Sequence, residues 1–115
     1  MTTASDIFDH HLSVFAEGDI DGIVSDYSED SVMVHGDQIW TGLAGARAFF
    51  HMWLDDLLPP GCRFDVTSRI TTDDLVYITW EAESERYVFD FGTNTFVMRE
   101  GKVFRQTVAT VSRRK

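Results

Sequence analysis

Two histidines and an asparagine stand where the hydrophobic pattern asks for apolar residues. His11 lies four residues after Ile7 and four before Phe15, inside the apolar stripe of a helix predicted from about Ser5 to Glu17. His35 closes the strand-like run from Ser31 and shares a face with Met33. Asn94 precedes Phe96 and Met98 at two-residue steps, so the three side chains share a side. An imidazole titrates near neutrality and serves as general acid or base. Polar groups converging in an aromatic surround fit a small-molecule site, whose expected lining is Phe15, Tyr27, Met33, Phe50, Trp53, Phe96 and Met98. The expected chemistry is proton transfer on a small apolar carbonyl or hydroxyl compound. His35 is its acid/base, and His11 and Asn94 orient the oxygen.

Other polar residues read differently. His10 aligns with Asp6, Ser13 and Glu17, and His51 with Arg47 and Asp55, so both face water. Asp26 lies off the apolar stripe and reads as a solvated helix residue. Two histidines with a carboxylate suit zinc or iron, yet neither HxH nor HExxH spacing occurs, and no metal or other cofactor is expected. No serine carries the flanking glycines of a nucleophile elbow.

The formal net charge of −9 argues against a nucleic-acid partner. The basic run Arg113, Arg114, Lys115 reads as a frayed end. The single cysteine, Cys62, has no CxxC partner and reads as a buried structural thiol in a reducing cytoplasm. The opening MTTASDIFDHH lacks the charge and apolar run of a secretory signal, and no stretch is long enough to cross a bilayer.

The elements that must position the site follow from periodicity and punctuation. Ser5 or Thr3 caps the first helix, and Gly18 closes it. Asp19 caps a short second helix whose stripe is Ile20, Ile23, Val24 and Tyr27. A turn at SEDS leads to the strand ending at His35, and Gln38 to Trp40 returns. A third helix runs from about Gly42 to Leu58 and stops at Pro59-Pro60-Gly61. Strands follow over Phe64 to Thr71, Val76 to Ala82, Tyr87 to Met98 with a bulge near Gly92-Thr93-Asn94, and Val103 to Val111 after a hairpin at Glu100-Gly101-Lys102. Three helices and then an antiparallel meander give a single α+β domain over residues 1–115, with helices packed on one face of a sheet.

GDIDGIV with its acidic turn and strand, together with IWTGLAGARAFF, resembles the NTF2-like or SnoaL-like superfamily, closest in pattern to ketosteroid isomerases. The resemblance implies an NTF2-like cone, a strongly curved mixed or antiparallel sheet wrapped around the helices over a central apolar pocket. It places His11 where those isomerases carry a tyrosine, His35 where they carry the general-base aspartate, and Asn94 where they carry an aspartic acid. An amide and a neutral imidazole are weaker donors than those groups, so steroid isomerisation is not expected. Isomerase, cyclase and dehydratase chemistry stay open; in a scytalone-dehydratase-like arrangement Asp26 and Tyr27 would serve. The alternative is a non-catalytic ligand-binding or dimerisation module. The resemblance also implies a homodimer through the sheet face, in keeping with nine Phe, three Trp and three Tyr in so short a chain.

Overall fold

The computed structural model describes residues 2–115. α1, Ala4–Glu17, starts at a capping box in which Thr3 and Asp6 each bond the other's backbone N–H at 3.1 Å. It ends on Gly18, whose φ of 70° is the left-handed conformation that favours glycine. A Cβ on Gly18 would lie 2.4 Å from Cγ of Pro60, so the turn after the third helix packs directly on the end of α1. α2, Ile20–Val24, is capped by Asp19, which accepts from Gly22 N–H at 3.0 Å.

β1 spans Tyr27–His35 and β2 Gln38–Thr41. Tyr27 therefore opens a strand and does not extend the α2 stripe, because Ser25 and Asp26 already turn the chain out of the helix. α3, Gly42–Met52, gives way to a π-helical turn, Trp53–Leu57, closed by Leu58 N–H on the Trp53 carbonyl at 2.6 Å. The turn presents Trp53 and Leu54 to the interior and Asp55 to water. β3 (Arg63–Thr72), β4 (Leu75–Glu83), β5 (Tyr87–Arg99) and β6 (Lys102–Arg114) complete the chain. Glu100 and Gly101, both at positive φ, make the tight β5–β6 hairpin.

The strands form one mixed sheet in the order β2-β1-β6-β5-β4-β3, with β1 parallel to β6 and every other pair antiparallel. The sheet is curved and open, and the helices lie against its concave face. Register sorts the two faces. Ile78, Asn94 and Val108 lie side by side facing the helices, as do Val76, Phe96, Gln106 and Met33. Tyr77, Thr95, Thr107, Val34 and Ile39 form a row on the outer face.

Two expectations change at the sheet. The bulge expected near Gly92-Thr93-Asn94 lies instead between Phe89 and Phe91, where it reverses the alternation, so Phe89 is buried while Phe91 faces outward. The basic C-terminus is paired strand and not a frayed end: Arg114 sits opposite Tyr87, Arg113 bonds Asp90 at 3.2 Å, and Lys115 pairs with Glu83 at 2.6 Å. Among the described residues, no helix is long and apolar enough to cross a membrane.

Candidate functional site

Between α1, α3 and the concave sheet lies a cavity of about 40 Å³. That is room for roughly three waters or for the head of a small ligand. Its walls are mostly aromatic and aliphatic, and the polar side chains on it are His11, Asn94, Gln106 and the Trp53 and Trp80 indoles. A larger hollow of about 350 Å³ lies next to it and shares the walls Leu12, Phe15, Leu58 and Phe64. The Phe15 and Phe64 rings, with centroids 5.8 Å apart, stand between the two spaces.

α1 carries His11 into this cavity. The residue is 5 % exposed and is surrounded by the rings of Phe8, Phe15, Tyr27, Phe50 and Phe96 at 5.4–6.3 Å. Its Nδ1 is buried without a hydrogen-bond partner. Burial, helped by the neighbouring His10, pulls its pKa down to about 4, so the ring is neutral at physiological pH.

β5 supplies Asn94, whose Oδ1 accepts from the Trp80 indole N–H at 3.0 Å. β6 supplies Gln106, 2 % exposed, whose Oε1 accepts from the Tyr27 hydroxyl. Tyr27 is kept a neutral donor, because burial lifts its pKa well above the ordinary value. Gln106 was not among the sequence-derived candidates, although it shares an inward face with Val108 two residues on.

The expected lining is partly assembled. His11, Phe15, Phe50, Trp53, Asn94 and Phe96 border the cavity. Tyr27 stands behind it, bonded to Gln106. Met33 is fully buried in the core under the helices, and Met98 lies at the other end of α1, beside Ile7 and Ala4. Neither methionine touches the cavity, since sharing a strand face with a lining residue fixes direction but not depth.

His35 is on the inward face, as its spacing from Met33 requires, but it does not border the cavity. Its ring packs on Trp53 with centroids 5.3 Å apart, and Trp53 separates it from the enclosed space. Partial burial lowers its pKa, which leaves a neutral imidazole able to accept a proton.

Two further readings change. Asp26 is not solvated: its side chain is 13 % exposed and accepts from or shares a proton with His10 Nδ1 at 2.7 Å, tying β1 to α1. Desolvation raises its pKa. It is therefore committed to the far side of α1 from the cavity. Cys62 is a partly exposed free thiol beside the outer hollow and not a buried one, and its partial burial raises its pKa. His51 faces water and pairs with Asp55 at 3.2 Å, as its spacing predicts. Among the described residues, no cluster of His, Cys, Asp and Glu is placed to hold a metal ion.

Comparison with known proteins agrees with this architecture. The SnoaL-like domain family matches residues 8–106. A protein from Kribbella flavida DSM 17836, proposed to be a ketosteroid isomerase, superposes with a TM-score of 0.78 at 13 % identity, over 94 % of this chain and 77 % of that one. A proposed polyketide cyclase from Sinorhizobium meliloti gives a TM-score of 0.73 at 12 % identity, over 90 % and 93 %. TerC, co-crystallised with polyporic acid, gives 0.72 at 21 % identity, over 94 % and 91 %. At these identities the likeness speaks for the fold. Nothing among the curated proteins matches the chain.

Proposed function

Because the chain belongs to the SnoaL-like domain family, we propose that it binds a small apolar oxygenated compound between α1, α3 and the sheet and moves a proton on it. One observation carries the reading: a neutral, buried imidazole on the wall of a largely apolar cavity, with a neighbouring hollow large enough for an apolar body. The oxygen of the ligand would sit with His11 and Asn94. The rest of the molecule would extend past Phe15 and Phe64 into the outer hollow, whose volume of about 350 Å³ falls in the range of ligand pockets.

His35 is the acid/base of this reading. It would take a proton from the carbon next to a carbonyl, leaving an enolate whose oxygen stays with His11 and Asn94, and return it to the same or a neighbouring carbon. Such a step is cofactor-independent and suits an isomerase, cyclase or lyase. It requires the Trp53 ring to move aside. Trp53 begins a π-helical turn, a segment type often met at functional sites. A second reading, ligand binding without catalysis, is favoured by that same screen between His35 and the cavity.

Deuterium uptake separates them. With 2-acetylnaphthalene in D2O, the wild-type protein should speed exchange of the methyl protons, followed by NMR. His35→Ala should slow it by about 100-fold, in the range of a lost general base, with ligand affinity unchanged. Binding without accelerated exchange would leave only the second reading.

We also propose that two copies pair through the outer sheet face. Ile39, Ile70, Phe91 and Val111 are exposed there at 47–65 %. Light scattering should give about twice 13.1 kDa at micromolar concentration, and Phe91→Glu with Val111→Glu should return the monomer. A wild-type monomer under those conditions would remove the proposal.

A further inference from the structure

The chain carries 19 acidic side chains against ten lysines and arginines, so a surface cation without a carboxylate partner is the exception. Arg47, Arg63, Arg69, Arg86, Arg113 and Lys115 each reach an Asp or Glu at 2.6–3.2 Å. Arg114 lies over the Tyr87 ring. Among the described residues, Arg99, Lys102 and Arg105 form no ion pair, and all three stand on the β5–β6 hairpin. Lys102 is committed to the Ser25 carbonyl at 2.6 Å.

The two arginines share one aromatic ring. The bulge that takes Phe104 out of the ladder leaves it half-buried. Arg99 lies over it at 3.9 Å from the ring centroid, and Arg105 at 3.7 Å. Two guanidinium carbons that close to one centroid would collide on the same face, so one covers each side. A guanidinium stacked on an aromatic face keeps its N–H donors in its own plane, open to a planar acceptor. Arg105 is held in place by Nη1, which donates to the Asp30 and Phe104 carbonyls at 2.8 and 2.9 Å, while its Nε and Nη2 have no acceptor among the described residues. The like charges face each other across the ring, and an anion on each relieves that repulsion.

We infer that this end of the β5–β6 hairpin docks an acidic segment of a partner protein, two of whose carboxylates pair with Arg99 and Arg105 on either side of Phe104. The inference is independent of the pocket reading. A carboxylate matches the guanidinium fork with two parallel hydrogen bonds. A nucleic acid fits poorly, since both faces of Phe104 are covered and no base can stack there. A long polyanion or an anionic bilayer would also meet the field of a chain with a net charge of −9. A short acidic segment meets the two cations alone.

Acetylated hexaglutamate is the probe, titrated by calorimetry at about 20 mM and about 200 mM NaCl. Wild type should bind it at one saturable site, about tenfold more weakly in the higher salt. Arg99→Gln with Arg105→Gln should weaken binding about tenfold or more. Phe104→Leu keeps both charges but removes the ring that spaces them, and should weaken it about threefold. The arginine pair decides alone should the Phe104 variant fail to melt cooperatively. Arg47→Gln with Arg86→Gln removes the same charge elsewhere and should leave affinity within about twofold. Equal losses in the two double variants would make the binding a matter of net charge and overturn the inference. No saturable binding to wild type at low salt would overturn it too, as would tighter binding of oligothymidine or of phosphatidylglycerol vesicles than of the peptide. If the Arg99 and Arg105 variant instead loses a dimer seen by light scattering, the cations serve a second copy of the chain, and the inference falls while the sheet-face pairing stands.

Discussion

Replacing His11 with leucine is expected to raise the melting temperature, and to raise it more in mild acid than at neutral pH. At neutral pH the gain comes from removing a buried polar atom without a partner, a defect that costs roughly 1–3 kcal/mol. In acid a second term appears. The unfolded chain's histidine titrates near 6.5, while the folded His11 is held down at about 4 by burial and by His10. Between those values the unfolded chain binds a proton that the folded chain refuses. Stability attributable to the neutral ring is thus complete above about pH 6.5 and declines as pH falls toward 4, by up to about 3 kcal/mol. His11→Leu should remove that part of the acid sensitivity. Thermal melts of both proteins from pH 4 to 8 check it, and parallel curves would show that His11 is not the refused site. The variant should also lose affinity for the proposed ligand, the familiar exchange of function for stability at a site.

The largest loss of stability is expected from Gly92→Ala. Gly92 lies on β5 opposite Trp80, and a Cβ there would sit 2.3 Å from Cε2 of the indole. Trp80 is 2 % exposed and held on several sides by other rings. It packs against Phe64 at 5.0 Å, Phe89 at 5.5 Å and Trp53 at 6.1 Å. It also holds Asn94 through its N–H. Adding one methyl group displaces the ring and breaks that bond, for a combined cost of about 3 kcal/mol. Urea unfolding measures it. Trp80→Leu makes room for the methyl, so the double variant should be clearly more stable than the sum of the single effects predicts. Additive effects would mean that the ring and the glycine are not in contact.

The same glycine shows what the amino-acid pattern could and could not convey. The α+β order, the capped helices and the inward direction of His11 and Asn94 follow from period and punctuation, because each is a local property. Gln106 was hidden by a single extra residue. Met98 lies opposite Val103 and Val97 opposite Arg105, so Phe104 is bulged out of the ladder. Plain alternation from Val103 would turn Arg105 and Thr107 inward and Gln106 out; the bulge reverses this. Phe91 changes sides for the same reason at the bulge beside Asp90. Strand spacing puts His35 on the inward face, yet what covers it depends on the π turn, and WLDDL reads as ordinary helix until its hydrogen bonds are seen. The Trp53 ring between His35 and the cavity is a property of packing that strand spacing does not encode.

The parallel pairing of β1 with β6 has a consequence for how the molecule is made. β6 is the last strand to be synthesised, yet it lies between β1 and β5 in the middle of the sheet. Until it emerges from the ribosome, the β2–β1 ribbon and the β3–β4–β5 meander have exposed edges and no common partner. Nascent chains should therefore stay open to protease and to chaperones until β6 is available, and then close in one cooperative event. Gln106, which reaches the cavity on that strand, is the last of its polar groups to arrive.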